Sequence, residues 1–233
     1  YTVKDTLSLH DALPISEVSD FAGAARTLQP LATAGVPQAQ KLLGDLYDRG
    51  QGVRADPDRA LALHREAALA GDPWAALVMA ERYEDGRELP RDLDRAREFY
   101  TIAAHGGRPS AQRWLAEAEL AWAHASRGAE ADTHLANAIE WYRTAAEAGD
   151  ARSLFRLATL HLDGRGMPEN PDLAVELFKR AAAAGEPEAA ATLGDLYTLG
   201  GPVDRDPERA DFWYQAAAEA RARNREPEST PAG

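Results

Sequence analysis

The stretch that decides the fold is residues 36–71, VPQAQKLLGDLYDRGQGVRADPDRALALHREAALAG, because residues 72–107, DPWAALVMAERYEDGRELPRDLDRAREFYTIAAHGG, repeat its pattern. A fixed period between about 20 and 50 residues is typical of solenoids, propellers and helical arrays. Stacked small units form an extended surface, which favours macromolecular binding over catalysis. The repeated positions in the first stretch are Ala39, Gly44, Tyr47, Gly50, Asp56, Ala60, Ala67, Ala68 and Gly71. Thirty-six positions later they correspond to Ala75, Ala80, Tyr83, Gly86, Asp92, Ala96, Ala103, Ala104 and Gly107.

One period predicts two helices. Asp72 and Pro73 predict a helix start, because Asp caps a first turn and the missing N–H of Pro costs nothing there. Small and apolar residues then recur at spacings of three and four, which indicates one buried stripe. Gly86 predicts the end of this helix, since glycine accepts a positive φ. Asp92 and Gly107 bound the second helix in the same way.

Composition narrows the function classes. The formal net charge of −12 argues against nucleic acid or an anionic membrane surface as the main partner and suits a basic peptide or protein. Alternatively, the acidic residues only keep the chain soluble. The absence of cysteine excludes disulfides, thiolate metal sites and a cysteine nucleophile. No apolar run approaches the roughly 20 residues of a membrane-spanning helix.

Both ends and one unit depart from the period. Residues 1–18 match no repeat position, and residues 5–16 resemble a translated sequencing adapter, so we expect a non-native or disordered lead-in and a missing natural N-terminus. An ordinary flexible lead-in or a short amphipathic helix is the alternative. The unit from Ala111 to Gly149 carries a six-residue insertion, which predicts a longer first helix or a longer loop. We expect residues 222–233 to be disordered.

Several segments resemble a known family. Leu43-Gly44-Asp45-Leu46-Tyr47, followed by Gly50-Gln51-Gly52-Val53 and Ala67-Ala68, is similar to a Sel1-like repeat, as is Leu193-Gly194-Asp195-Leu196-Tyr197. The resemblance implies an all-α fold, an α/α right-handed superhelix (solenoid) of antiparallel helix pairs with four full units plus a leading half unit. It also implies a tetratricopeptide-related adaptor or scaffold in bacteria, in the cytoplasm or the periplasm. The expected array covers residues 19–221, with units at 36–71, 72–107, 108–149, 150–185 and 186–221.

The sequence offers no catalytic, cofactor-binding or metal-binding motif. It has no His-Glu-x-x-His, no phosphate-binding glycine loop and no Gly-x-Ser-x-Gly. His124 and His134 lie ten positions apart, which is no usual ligand spacing. His161 stands where other units have tyrosine and is expected to be packed in or near the core. Trp114 and Trp122 are expected to pack in the long unit.

Partner-binding residues can be predicted from the resemblance. In related superhelices the first helix of each unit lines the concave face, so the stripe opposite its buried face is the candidate groove. Acidic residues dominate this stripe, and Trp74, Leu77 and Phe155 are candidate apolar anchors. Alternatively, Trp74 and Phe155 pack against neighbouring units. The predicted partner-binding residues are Lys41, Asp45, Asp48, Trp74, Leu77, Glu81, Glu84, Arg113, Glu117, Arg152, Phe155, Thr159 and Asp195.

Three functions are compatible with these patterns. The first is a non-enzymatic adaptor that binds a protein or peptide with basic and apolar residues in the acidic groove. The second is an envelope-associated hydrolase acting from the groove, which would need a catalytic cluster there. The third is a structural spacer or oligomer subunit, which concentration-dependent sedimentation would support. The sequence leaves the oligomeric state open.

Overall fold

The computed structural model describes residues 20–225, and every regular element within that range is an α-helix. The all-helical class predicted from the sequence is therefore confirmed. No helix in the described range is long and apolar enough to cross a membrane. The eleven helices are α1 (Phe21–Thr33), α2 (Pro37–Arg49), α3 (Pro57–Leu69), α4 (Pro73–Asp85), α5 (Leu93–His105), α6 (Pro109–Ala125), α7 (Ala129–Glu147), α8 (Ala151–Asp163), α9 (Pro171–Ala183), α10 (Pro187–Leu199) and α11 (Pro207–Arg225).

The helix bounds follow the capping residues in the sequence. Asp56 and Asp92 each accept a hydrogen bond from the backbone N–H three residues later, at 3.0 Å, and so satisfy a first-turn donor. Gly50 and Gly86 end the first helices of two units with φ of 63° and 70°, a left-handed conformation that favours glycine. Local capping chemistry therefore sets the length of most helices at 13 residues.

The described residues divide into two compact units, one that ends at Arg108 and one that begins at Pro109. In the first unit, each of the helices α1 to α4 packs against the helix that follows it. The same holds for α6 to α10 in the second unit. Helices of one pair are antiparallel, because short loops join them and contacts link the start of one helix to the end of the other. In α2 and α3, for example, Gln40 contacts Glu66 near one end and Tyr47 contacts Arg59 near the other.

Five helix pairs follow the single helix α1, one more than the four full units predicted. The unit with the insertion also forms a complete pair. Its helices α6 and α7 have 17 and 19 residues, whereas only residues 126–128 connect them. The insertion therefore lengthens both helices instead of the loop. Gly128, with φ of 59° and ψ of −142°, makes this tight connection possible.

The prediction of a disordered tail from residue 222 was wrong in part. Helix α11 continues through Arg225, which makes it 19 residues long. Arg221 occupies the position at which Gly71, Gly107 and Gly185 follow earlier second helices with positive φ. Without that glycine nothing ends the helix, and Ala and Arg favour its continuation. The lead-in at residues 1–18 and the rest of the predicted tail, from residue 226, lie outside the described residues.

In two of the pairs, α2–α3 and α10–α11, a glycine of the first helix lies under a large side chain of the second. A Cβ atom added to Gly44 would lie 2.6 Å from Nε2 of the buried His64, and one added to Gly194 would lie 2.6 Å from the ring of Tyr214. The separation is twenty residues in both pairs. Close approach of the two helices therefore depends on the missing side chain.

We expect Gly44→Ala to lower the free energy of unfolding by about 1–2 kcal/mol, because overpacking against His64 outweighs the better helix propensity of Ala. Urea denaturation followed by circular dichroism measures this change. In a His64→Ala background the clash is absent, so Gly44→Ala should raise the free energy of unfolding by about 0.5–1 kcal/mol. An equal loss in both backgrounds would show that the contact with His64 is not the cause.

Candidate functional site

The predicted residues on α2 lie together in an intramolecular network. Nζ of Lys41 is 2.7 Å from Oδ2 of Asp45, and Oδ1 of Asp45 is 3.0 Å from Nε2 of His64. Burial alone would raise the pKa of Asp45, but hydrogen bonds from His64 and Lys41 outweigh it, so this pKa lies below its ordinary value. Asp45 therefore joins α2 to α3, and its carboxylate is already engaged within the chain.

Asp48 links α2 to the next first helix. Its Oδ2 lies 3.6 Å from Nδ1 of His64 and forms a close ion pair with Arg82 of α4. Nε of Arg82 is also 3.1 Å from a carboxylate oxygen of Glu88 in the loop after α4. Charges on successive first helices thus neutralise one another instead of facing solvent as a uniform acidic strip.

Trp74 remains an exposed aromatic residue. Its side chain is at the start of α4 and the residue is 53% exposed, although the guanidinium of Arg108 lies 4.2 Å from its ring centroid. Leu77, one helical turn later on the same face, is half-buried. A large ring that stays exposed beside a cation is typical of a contact surface.

Acidic side chains continue this face of α4. Burial, followed by the charges of Asp85 and Glu84, raises the pKa of Glu81 above its ordinary value. The carboxylate of Glu84 accepts a 2.5 Å hydrogen bond from the hydroxyl of Tyr100 on α5. Glu81 and Asp85 are exposed, whereas Glu84 is half-buried. The predicted acids of α4 therefore divide into a structural member, Glu84, and an exposed one, Glu81, which has the exposed Asp85 and Trp74 on the same helix face.

In the second unit, the predicted residues of α6 pair with α8. Arg113 lies 3.3 Å from Asp150, the residue that caps α8. Glu117 accepts two hydrogen bonds from Arg156, at 3.1 and 3.3 Å. This two-point contact fixes the relative position of the two helices. Arg113 and Glu117 therefore hold the pairs of this unit together.

The predicted residues of α8 have mixed environments. Phe155 is half-buried, and its ring centroid is 5.7 Å from that of the fully buried Phe178 on α9, so its side chain packs against the second helix of its own unit. The hydroxyl of Thr159 donates to the backbone carbonyl of Phe155 at 3.1 Å. Arg152 is exposed. Phe155 is thus not an exposed anchor, in contrast to Trp74.

Asp195 on α10 accepts a 2.7 Å hydrogen bond from the hydroxyl of Tyr214 on α11. Near the start of α10, Glu186 is buried and hydrogen-bonded to Glu188. Burial, followed by this contact with Glu188, raises the pKa of Glu186 to about 7, although the charge of Arg152 opposes the rise.

Sequence reasoning missed the basic partners of these acids. His64, Arg82 and Arg156 were not among the predicted residues, yet each binds one that was. A signal for His64 was present, since it follows Gly44 by twenty positions just as Tyr100 follows Ala80. The position of the second-helix ring therefore identifies His64 as the residue that packs over the first helix.

The long pair α6–α7 contains a further polar contact. Nδ1 of His134 lies 2.7 Å from a carboxylate oxygen of the buried Glu119, and the ring of Trp122 is 5.7 Å from that of His134. Trp114 and His161 are half-buried. Within residues 20–225, no three His, Asp or Glu side chains are arranged to hold a metal ion.

The repeat geometry agrees with comparison to known families. The Sel1 repeat model matches residues 37–72, 75–107, 109–150, 151–186 and 187–221. The chain therefore belongs to the Sel1 repeat family. Members of this family generally mediate protein–protein interactions and are typically not catalytic. No significant match was found among curated protein sequences.

Solved bacterial structures share the fold. A Sel1 repeat protein from Oxalobacter formigenes is 26% identical with a TM-score of 0.72, and the match covers 91% of this chain and 79% of that one. The protective antigen c5321 of uropathogenic Escherichia coli is 26% identical with a TM-score of 0.71, over 86% of this chain but only 42% of that one. The immunity protein PA5088 of Pseudomonas aeruginosa, 17% identical with a TM-score of 0.52 over 97% of this chain and 93% of that one, shows the fold alone.

The buried Glu186 makes stability depend on pH. Because its pKa rises from 4.5 to about 7 on folding, its stabilising contribution is complete below pH 4.5 and is lost as pH rises through 7. We expect Glu186→Gln to be more stable than the parent at pH 8.5, by roughly 1 kcal/mol, and to lose this advantage at pH 5. Urea denaturation at both pH values measures the difference. The exposed Glu176→Gln is the control, and a pH-independent effect of Glu186→Gln would contradict the prediction.

Proposed function

We propose that this chain is a non-enzymatic scaffold that binds a protein segment carrying basic and apolar residues on the acidic face of its first helices. The observation that carries the proposal is Trp74, an exposed ring on the same helix face as the acidic residues Glu81 and Asp85. Membership in a family of protein-binding repeats supports it.

The chemistry of this surface, which we name the α4 face (Trp74, Leu77, Glu81 and Asp85), defines its partner. The residues lie at spacings of three and four, so they form one stripe about three turns long. A partner helix or extended segment would place an apolar side chain over Trp74 and Leu77 and a Lys or Arg beside Glu81. The raised pKa of Glu81 reflects repulsion from nearby acids as well as burial, and a partner cation would relieve that repulsion.

The other predicted acids contribute less to this surface. Asp45, Asp48 and Glu117 bind basic residues of the chain itself, and a partner would have to break those contacts first. Asp85 has a longer contact, 3.8 Å, with the exposed Arg87. The proposed binding site is therefore centred on Trp74 and Glu81 of α4. A cleft of about 190 Å³ beside Arg82 and Glu88 continues the α4 face towards the loop after the helix.

Selection of peptides from a random displayed library tests the proposal. We expect the chain to enrich peptides that combine Lys or Arg with a large apolar residue, because both features complement the α4 face. A variant with Trp74→Ala, Glu81→Lys and Asp85→Lys should bind the enriched peptides at least about tenfold more weakly, a loss of about 1.4 kcal/mol.

The matched control carries Glu98→Lys and Glu176→Lys, which change two exposed acids on second helices. It should bind the same peptides as the parent does. Enriched peptides without basic residues, or equal binding by the parent and the α4 variant, would contradict the proposal.

A further inference from the structure

The last described helix, α11, exposes a surface that is covered in the earlier second helices α3, α5, α7 and α9. The large side chain that packs over the first helix is 0–4% exposed at His64, Tyr100, Tyr142 and Phe178, but Tyr214 is 39% exposed. In the second unit, Phe178 lies in one cluster with Ala189 and Leu193 of the following first helix, α10. Within residues 20–225, α11 packs mainly against α10, and Asp211, Tyr214 and Ala218 on its equivalent face are exposed.

This open face has a different composition from the covered ones. Asp211 stands where Ile139 and Val175 are buried in α7 and α9. A further first helix of the ordinary kind, which presents apolar side chains such as Leu193, would bury this carboxylate without a cation. The face of α11 therefore favours a partner that places a basic group near Asp211.

Helix α11 itself carries such groups along the same stripe. Its continuation through the position of the closing glycine adds Arg221 and Arg225. Asp211, Tyr214, Ala218, Arg221 and Arg225 follow spacings of three and four and are all exposed. This pattern places them on one helix face, as at the contact positions of a helix pair. We name this stripe the α11 face.

We propose that two copies of this chain associate through their α11 faces, with the two helices antiparallel. Pairing centred on Ala218 places Asp211 of each copy opposite Arg225 of the other. It also places Tyr214 opposite Arg221, where the guanidinium can contact the ring. The small side chain of Ala218 at the crossing point permits close approach.

The charge order along α11 favours this orientation. On the α11 face, Asp211 lies near the start of the helix, and Arg221 and Arg225 lie near its end. Antiparallel pairing therefore joins opposite charges, whereas parallel pairing would join like charges. A single helix pair buries less area than a standard interface, so we expect a weak association that depends on protein concentration. The occupant is a second copy, independent of the peptide partner proposed for the α4 face.

Sedimentation velocity of the full chain from roughly 1 to 200 µM tests the association. We expect the parent to show a reversible monomer–dimer equilibrium. Asp211→Arg and Arg225→Asp should each weaken it at least about tenfold, because each substitution creates like-charge contacts. An equimolar mixture of the two variants should dimerise again. The Asp211→Arg variant has basic side chains at positions 211 and 225, the Arg225→Asp variant has acidic ones at both, and opposite charges therefore meet in the mixed dimer.

The control variants, Glu176→Arg and Arg180→Asp, reverse exposed charges on α9 and should dimerise as the parent does. Circular dichroism verifies that each variant is folded. A parent that stays monomeric over the whole range, a dimer that both substitutions leave unchanged, or a mixture that remains monomeric would overturn the proposal.

Discussion

The structure depends on one constraint, the close approach of two helices at a position where the first helix has a small side chain. Gly44 and Gly194 leave room for the rings of His64 and Tyr214, which a Cβ atom would meet at 2.6 Å. The same separation of twenty residues relates Ala80 to Tyr100 and Ala158 to Phe178. Because the ring fills the space between paired helices, each pair buries a compact apolar contact despite the small size of its alanine side chains.

This contact also explains where the acidic residues lie. Asp45, Glu117 and Asp195 each follow the small residue directly, so their carboxylates are next to the polar tip of the ring, in His64, Tyr142 and Tyr214. In the pair of Phe178, whose ring has no polar tip, Thr159 takes the place of the acid. Many acids on the first helices are therefore part of the packing. Glu81 follows Ala80 at the same position, but the hydroxyl of Tyr100 donates to Glu84 instead, and Glu81 stays exposed.

Much of the fold could be predicted because its signals are local. Asp56, Asp92, Gly50 and Gly86 determine helix ends through capping, and the periodic alanines identify the buried faces. The surface was harder to predict, since the exposure of Phe155 and Trp74 depends on neighbours distant in sequence. Arg82 and Arg156 were missed for the same reason, as each binds an acid more than thirty positions away. The extent of α11 was underestimated because charged residues near a chain end were interpreted as a tail, although Ala and Arg favour a helix.

The closing glycines have a consequence for how such an array can change during evolution. Gly71, Gly107 and Gly185 each end a second helix at the same register, so duplication of one unit inserts a segment whose two junctions match those already present. Replacement of that glycine, as by Arg221, needs only a single codon change and turns a connecting helix into a longer one with a new surface. A point mutation of this kind thus changes the length and the exposed surface of one unit without altering the remaining units.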